Sequence, residues 1–187
     1  LDKYARRSPG SPVLDVGCGD GLMFDDLSRF GDVFGIEADA NAVDDNGPWR
    51  SRIHVGRFDE SFRPDERFHL VTMLDVLEHL PDAPGALERV RQLMADDGLF
   101  VLTVPAFNSL WTSHDEICHH YTRYTRGMLL PMLRDAGFDI VQSRYLFHWT
   151  APAKVVIRLN EWLFNRRATT PKVPSPFWNR FFAGLTA

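Results

Sequence analysis

Residues 13–21 have the sequence VLDVGCGDG, in which a short apolar run leads directly into a loop with three glycines. Such a run is typical of a buried parallel strand, and glycines at its end mark a tight turn. Apolar residues then recur at roughly helical spacing between Leu22 and Phe30, until Gly31 stops the pattern. The stretch therefore predicts a strand, a glycine turn and a helix in immediate succession.

Strands and helices continue to alternate along the chain. Further strands are predicted at 33–37, 53–55, 68–75, 99–104 and 139–147, and further helices at 83–94 and 125–136. This alternation is typical of a parallel sheet covered by helices on both faces. We expect an α/β fold, a Rossmann-like three-layer sandwich with a mostly parallel sheet, formed by residues 1–147.

Residues 148–187 follow a different pattern and form a predicted helical, aromatic-rich appendage. A proline-broken linker at 170–176 separates a helix from a second aromatic segment at 177–182. One face of that helix is apolar: Val155, Val156, Leu159, Trp162 and Leu163. A basic amphipathic helix of this kind lies in a membrane interface, closes over a pocket as a lid, or packs on the core, and the pattern leaves these three roles open.

Charge and cysteine content exclude several classes of protein. Residues 1–150 hold 15 Lys and Arg against 24 Asp and Glu, whereas residues 151–187 hold 6 against 1. An acidic body argues against binding of nucleic-acid phosphates. The two cysteines match neither a metal-ligand spacing nor a disulfide framework. No secretory signal or spanning segment is recognised, so we expect a cytoplasmic protein whose appendage is its one candidate for peripheral membrane contact. The pattern does not determine the oligomeric state.

The residues flanking the glycine turn indicate the charge of its ligand. The dinucleotide fingerprint requires a third glycine at position 22, where this chain has Leu22. Asp15 would repel a pyrophosphate and suits a cationic ligand instead. Glu37 follows Gly17 by 20 residues, at the end of the second predicted strand, where a carboxylate can accept both ribose hydroxyls. Together they favour S-adenosylmethionine over NAD.

Residues 13–21, 35–39 and 74–82 resemble the three signature segments of class I S-adenosylmethionine-dependent methyltransferases. The resemblance spans about residues 12–147 and implies S-adenosylmethionine as cofactor and S-adenosylhomocysteine as product. The family often has Gly-Asp after its third strand, whereas Arg57 follows Gly56 here, so Phe58 or Asp59 is assigned to the adenine. The other implied cofactor residues are Asp15, Gly17, Cys18, Gly19, Gly21, Glu37, Ala38, Asp75 and Val76.

Methyl transfer is an in-line displacement, for which the protein must position the acceptor and provide a group that takes up its proton. The histidine candidates for that base are His79, His114, His119 and His120. Residues 111–125 are predicted to lie over the acceptor, and Tyr121 and Arg123 are added to the candidate catalytic set. Residues 120–125 resemble the His-x-x-Arg-Tyr-Thr segment of methyltransferases encoded alongside polysaccharide or lipid-linked glycan enzymes. The structural alternatives are helix capping or packing for His79, an ion pair for Arg123 and a helix cap for Thr125.

The predicted function is methyl transfer to a small-molecule or glycan- or lipid-precursor acceptor, at oxygen. The alternative is a catalytically silent S-adenosylmethionine-binding scaffold whose tail docks a partner or a membrane. Asp75, Glu78, His79 and a loop histidine are permissive ligand types for a divalent metal. Most proteins that resemble this chain there need no metal, so none is predicted.

Overall fold

The computed structural model describes residues 2–146, 155–159 and 163. The strands are β1 (Pro12–Val16), β2 (Asp32–Glu37), β3 (Ile53–Val55), β4 (Phe68–Leu74) and β5 (Met94–Thr103). The helices are α1 (Phe24–Leu27), α2 (Ala83–Leu93), α3 (Ser113–Ile117) and α4 (Arg126–Asp135), and residues 155–159 are also helical. Within these described ranges, no helix is long and apolar enough to cross a membrane. Predictions for Phe147, Trp162, the linker and the second aromatic segment lie outside the described residues.

The five strands form one parallel sheet in the order β3-β2-β1-β4-β5. The chain runs outward from β1 to β3 and then returns to place β4 on the other side of β1. Ligands of open parallel sheets bind at such a reversal, outside the carboxyl ends of the strands. The glycine loop after β1, Glu37 at the end of β2 and Asp75 after β4 all lie at this edge.

The side chains of the sheet pack into two separate cores, one on each face. Val13 and Leu70 point to the face covered by α1, where Phe24 and Leu27 are fully buried. On the opposite face, the sheet packs against α2 and α4 through Leu14, Val16, Val71, Met73, Leu87, Val90 and Leu133. Side chains of consecutive strand residues point to opposite faces, so strands buried on both sides are continuously apolar. The predicted three-layer α/β fold is confirmed.

Three predicted elements differ from the structure, and one of them is β5, which begins at Met94 and not at residue 99. The first helix is a single turn, and Leu22 precedes it with an exposed fraction of 85%. The buried apolar residues are Phe24 and Leu27 in this helix and Phe30 after its end. The sixth strand, predicted at 139–147, is wrong over the described residues 139–146, which pair with no strand. Val141 is 65% exposed there, so little apolar burial stabilises an extended segment.

The ends of α2 and α4 coincide with residues that are typical of helix termini. The Asp82 side chain accepts a hydrogen bond from the Gly85 N–H at 3.0 Å and begins α2. Thr125 occupies the N-cap position of α4 without a side-chain capping bond, and Gly137 follows the helix with φ +87°. The predicted helices at 83–94 and 125–136 are thus confirmed to within one residue at each end.

Candidate active site

The glycine loop after β1 is held in a left-handed backbone conformation that glycine adopts readily. Gly17, Gly19 and Gly21 have φ values of +73°, +55° and +86°. The Gly17 N–H donates to the Ile36 carbonyl at 2.8 Å, which fixes the loop to β2. A Cβ on Gly17 would lie 2.4 Å from Cγ2 of Val76, whereas a Cβ on Gly19 would meet nothing within 4 Å. The loop is therefore tightly packed against the segment after β4 at Gly17 and open at Gly19.

Replacing Gly17 with alanine is expected to destabilise the protein more than the same change at Gly19. Both variants strain the left-handed backbone, at about 1–2 kcal/mol. Only the Gly17→Ala variant also forces a Cβ into Val76, which adds about 1–3 kcal/mol of overpacking. Urea unfolding without cofactor measures both changes. Equal losses in the two variants would contradict the close packing of Gly17 on Val76.

Asp15 is buried at the end of β1, and its carboxylate accepts a hydrogen bond from the Thr72 hydroxyl at 2.6 Å. The pKa of Asp15 is raised to about 6, because burial and, to a smaller extent, the negative charge of Glu37 outweigh the opposing hydrogen bond from Thr72. A carboxylate in this position is stabilised by an added positive charge. The site therefore favours a cationic ligand, as the sequence predicted.

Glu37 connects the glycine loop to the start of the segment after β2. One carboxylate oxygen accepts the Gly19 N–H and the other accepts the Asp39 N–H, each at 2.9 Å. Each oxygen retains a lone pair, since a carboxylate offers about four acceptor positions. Ala38 lies between these contacts and is exposed. This geometry leaves Glu37 able to accept ribose hydroxyls beside the loop.

A cavity of about 360 Å³ opens next to the glycine loop. Its lining residues are Asp15, Gly17, Cys18, Gly19, Asp20, Leu22, Met23, Ala42 and Leu74. The volume falls in the range of small-ligand sites, about 300–1,000 Å³. The carboxylates of Asp15 and Asp20 match the cationic groups of S-adenosylmethionine, and the glycine backbone allows a ligand to approach closely. Glu37, next to the cavity, matches the ribose. The residues present fit this cofactor.

The two residues assigned to the adenine are turned to other contacts. The Phe58 ring lies 6.4 Å from the ring of Phe62 and packs against the core. The Asp59 carboxylate accepts hydrogen bonds from the Ser61 N–H and hydroxyl at 2.9 and 2.6 Å. Neither lines the cavity described above. Their role toward adenine stays a prediction.

Asp75 and Val76 follow β4 directly, beside the glycine loop. Asp75 is a non-glycine residue with φ +54°, a strained conformation that persists only where neighbours enforce it. Its N–H donates to the carbonyl and the hydroxyl oxygen of Thr103, both at 3.1 Å, and the Thr103 hydroxyl donates to its carboxylate at 3.2 Å. These bonds to β5 position the turn so that Val76 contacts the glycine loop.

Glu78, His79 and His120 form a compact cluster just beyond that turn. Each offers one ligand atom, and these atoms lie within 4.8 Å of one another. The two imidazole rings meet edge to face with centroids 4.6 Å apart. Burial raises the pKa of Glu78 to about 7, and burial together with the charge of His120 lowers the pKa of His79. The structure thus brings two predicted catalytic histidines together with a buried carboxyl group.

Asp115 organises the loop over this cluster and was not among the predicted site residues. It is completely buried, and it accepts hydrogen bonds from the Thr112 N–H, the Arg123 guanidinium and the His120 ring at 2.8–2.9 Å. These bonds hold the pKa of Asp115 at about 2 despite its burial. Thr112 and Asp115 form a capping box at the start of α3, a spacing visible in the sequence.

The remaining predicted catalytic residues are placed in different surroundings. Arg123 is buried, pairs with Asp115 and donates to the Ala106 carbonyl at 3.0 Å, which is the ion-pair alternative. Tyr121 is 63% exposed, and its N–H donates to the Glu78 carbonyl at 2.7 Å. The nearer ring nitrogen of His114, in α3, lies 3.6 Å from the sulfur of Cys118, the residue that follows this helix. Arg123 therefore adjoins the compact cluster through Asp115, which also binds His120, and His114 is not one of the three residues of the cluster.

The family model of a methyltransferase domain matches residues 1–143. The chain belongs to this methyltransferase-domain family. Its parallel sheet, glycine loop and strand-end glutamate are those of the class I, S-adenosylmethionine-dependent methyltransferases. The resemblance of the signature segments is thereby confirmed, and the domain is that of an enzyme.

Individual relatives agree with this assignment. A Rhodopseudomonas palustris protein named ubiquinone biosynthesis O-methyltransferase is 32% identical over 110 residues, which cover 56% of this chain and 43% of that protein. This chain thus spans less than half the length of that relative. The Bacillus subtilis YcgJ protein has a TM-score of 0.63 at 17% identity, over 87% of this chain and 78% of that one.

A further structural relative carries the cofactor. Haemonchus contortus phosphoethanolamine N-methyltransferase 2, in complex with S-adenosyl-L-methionine, has a TM-score of 0.63 at 18% identity. The match covers 98% of this chain and 46% of that one. At these identities the likeness of both solved structures shows the fold. The acceptor atoms in the names of the relatives, oxygen in one and nitrogen in the other, differ.

Proposed function

We propose that this domain transfers the methyl group of S-adenosylmethionine to a hydroxyl oxygen of a small-molecule or glycan- or lipid-precursor acceptor. The observation that carries the proposal is the location of Glu78, His79 and His120 at the edge of the sheet that also holds the glycine-loop cavity. Val76 closes on Gly17, and Glu78 follows two residues later. An acceptor held at the mouth of the cavity would therefore lie against the cluster.

The residues of this chain have two tasks in such a reaction. The cofactor supplies an electrophilic methyl group, so that an O–C bond forms, an S–C bond breaks and S-adenosylhomocysteine leaves as a neutral thioether. The glycine loop, Asp15 and Glu37 hold and orient the cofactor. The Glu78, His79 and His120 cluster promotes loss of the hydroxyl proton, which passes to solvent. His120 is kept in place by its 2.9 Å hydrogen bond to Asp115.

Two observations support the class of acceptor. The relative with 32% identity is named an O-methyltransferase, which favours oxygen. Helical residues 155–159 present exposed apolar side chains, and Arg158 donates to the Ser109 carbonyl in the segment that follows β5. This contact brings part of the appendage to the acceptor edge of the sheet. An acceptor with an apolar portion fits this surface. The exposed apolar side chains also support a role for the appendage as a lid or in peripheral membrane contact.

Transfer of labelled methyl groups tests this proposal. The chain is incubated with methyl-labelled S-adenosylmethionine and a panel comprising a free catechol, a polyprenylated hydroxy-aromatic compound and a polyprenyl-linked sugar. We expect label to enter at least one hydroxyl compound, with equimolar S-adenosylhomocysteine. Cofactor binding without transfer to any of the panel would favour the silent scaffold instead.

Two single substitutions in the cluster test its role in the reaction. Glu78→Gln and His120→Ala are expected to lower kcat by about 100-fold or more, the usual contribution of a proton-managing group, while cofactor affinity stays unchanged. His54→Ala, on an exposed histidine of β3, is the matched control and should behave as the parent chain. Unchanged kcat in both cluster variants would refute the role assigned to the cluster.

A further inference from the structure

Glu78 has an unusual environment for a glutamate. Its side chain is 1% exposed, and within the described part of the chain its Oε2 atom is buried without any hydrogen-bond partner. Leaving a buried polar atom unpaired is destabilising, and more so when the group is charged. The nearby guanidinium of Arg123 does not relieve this cost, because Arg123 binds Asp115 and the Ala106 carbonyl. An oxygen in this position lacks a positively charged partner.

The ring of His120 is already oriented as a metal-binding histidine would be. Its Nδ1 lies 2.9 Å from the carboxylate of Asp115. An ionised carboxylate can only accept, so Nδ1 must donate, and the lone pair of a neutral ring is left on Nε2. A carboxylate that fixes the tautomer of a histidine through its second ring nitrogen is the usual outer partner of a metal ligand. Asp115 is itself held by the Thr112 N–H and Arg123.

We propose that Glu78, His79 and His120 bind a divalent transition-metal cation, with Asp115 as the outer carboxylate that orients His120. Two imidazole nitrogens and one carboxylate oxygen suit Zn²⁺ or Co²⁺ better than Ca²⁺ or Mg²⁺, which prefer oxygen ligands, and Mn²⁺ serves as a spectroscopic probe of the same ligand set. The three ligand atoms lie within 4.8 Å of one another. Around one cation with bonds of about 2.1 Å, ligand atoms are at most about 4.2 Å apart, so small side-chain rotations complete the site.

Three protein ligands leave coordination positions open toward the acceptor. A cation there lowers the pKa of a hydroxyl that approaches it, which is the task the reaction assigns to this cluster. This role rests on the proposed function, whereas the binding of the cation does not. The carboxylate of Asp75 is outside the cluster, because it is bonded to the Thr103 hydroxyl.

Metal binding is measured directly on the untagged full chain. After treatment with a chelator and removal of the chelator, the protein is titrated with Mn²⁺ followed by electron paramagnetic resonance, and with Zn²⁺ and Mg²⁺ by calorimetry. We expect one equivalent of Mn²⁺ or Zn²⁺ to bind at least tenfold more tightly than Mg²⁺. Glu78→Gln and His120→Ala are each expected to weaken binding by more than 100-fold, with circular dichroism confirming their fold.

Cys118→Ser provides the matched control. Its thiol lies 3.6 Å from a ring nitrogen of His114, and these two side chains are a second pair of possible metal ligands in the same segment. Cys118→Ser should bind metal as the parent chain does. Failure of the parent chain to bind Mn²⁺ or Zn²⁺, or unchanged binding in both cluster variants, would overturn the proposed site. Weakened binding in Cys118→Ser alone would move the site to the His114 and Cys118 pair and overturn it as well.

Methyl transfer before and after chelation separates this inference from the proposed function. Transfer that falls with the chelator and returns with Mn²⁺ or Zn²⁺ supports both. Transfer that persists in chelator, with no metal bound, overturns the metal site and leaves the methyltransferase function standing. One equivalent of tightly bound metal without transfer to any hydroxyl acceptor supports the site and counts against the proposed reaction.

Discussion

Replacing Asp115 with alanine is expected to lower the free energy of unfolding by about 3–5 kcal/mol. Asp115 is completely buried, and its partner Arg123 is 5% exposed. The variant leaves a buried guanidinium with one remaining acceptor among its described contacts, the Ala106 carbonyl. An unpaired buried charge is far more destabilising than the loss of an exposed pair. Urea unfolding at neutral pH measures the change.

Asp97→Ala is the matched control for that variant. Asp97 pairs with Arg6 at 3.7 Å, and both side chains are about four-fifths exposed. Exposed pairs contribute about 0–1 kcal/mol. The double variant Asp115→Leu with Arg123→Met removes both charges and should recover much of the lost stability. If Asp115→Ala were no less stable than Asp97→Ala, the buried pair would not be what holds the loop over the cluster.

The elements that the sequence predicted well are those with a local cause. The run of residues 13–16 is apolar because β1 is buried on both faces, and the following glycines are required where the backbone turns left-handed. Glu37 could be placed because a strand of known length ends there. The edge of the sheet at which the cofactor residues are expected therefore followed from periodicity and spacing together with the resemblance of the signature segments.

The failures depend on contacts that are distant in sequence. Residues 139–146 have strand-forming residues but no strand to pair with among the described residues. Propensity cannot supply a hydrogen-bonding neighbour. Asp115 was overlooked because its burial depends on Arg123 eight residues later and on His120. The spacing of Thr112 and Asp115 is that of a capping box, which indicates a helix start and not a buried ion pair.

The compact cluster was predicted only in part. His79 and His120 were predicted as separate candidates, because each lies near the carboxyl edge of the sheet. Their edge-to-face contact and the burial of Glu78 arise from the way the loop after β5 folds over the turn after β4. The Tyr121 N–H bond to the Glu78 carbonyl makes that connection. Such contacts become visible only when both segments are placed in three dimensions.

Replacing Asp15 with asparagine is expected to stabilise the free protein and to weaken its hold on S-adenosylmethionine. Burial raises the folded-state pKa of Asp15 from 3.8 to about 6. The folded state therefore binds more protons than the unfolded state between these values, and stability falls as the pH rises through that window. The full loss above pH 6 is on the order of 3 kcal/mol. Asparagine keeps an acceptor for Thr72 and removes this penalty.

The same carboxylate explains an opposite effect on the cofactor. A cationic ligand beside Asp15 stabilises its ionised form, so affinity for S-adenosylmethionine should fall about tenfold between pH 8 and pH 5, as a group with a pKa of about 6 becomes protonated. Asp15→Asn should bind about 10- to 100-fold more weakly at pH 8, because a charge-assisted contact is lost. Its affinity should also lose this pH dependence.

Thermal unfolding and calorimetric titration at pH 5 and pH 8 measure both effects on the same two proteins. S-adenosylhomocysteine, which lacks the sulfonium charge, is the matched ligand and should discriminate less between parent and variant. Parent-like affinity of Asp15→Asn at pH 8 would contradict the electrostatic role of this residue. A variant that binds weakly and is also less stable would show that Asp15 supports the fold instead. If Asp15→Asn is more stable and binds S-adenosylmethionine more weakly, then the Asp15 carboxylate serves cofactor binding and lowers the stability of the free protein.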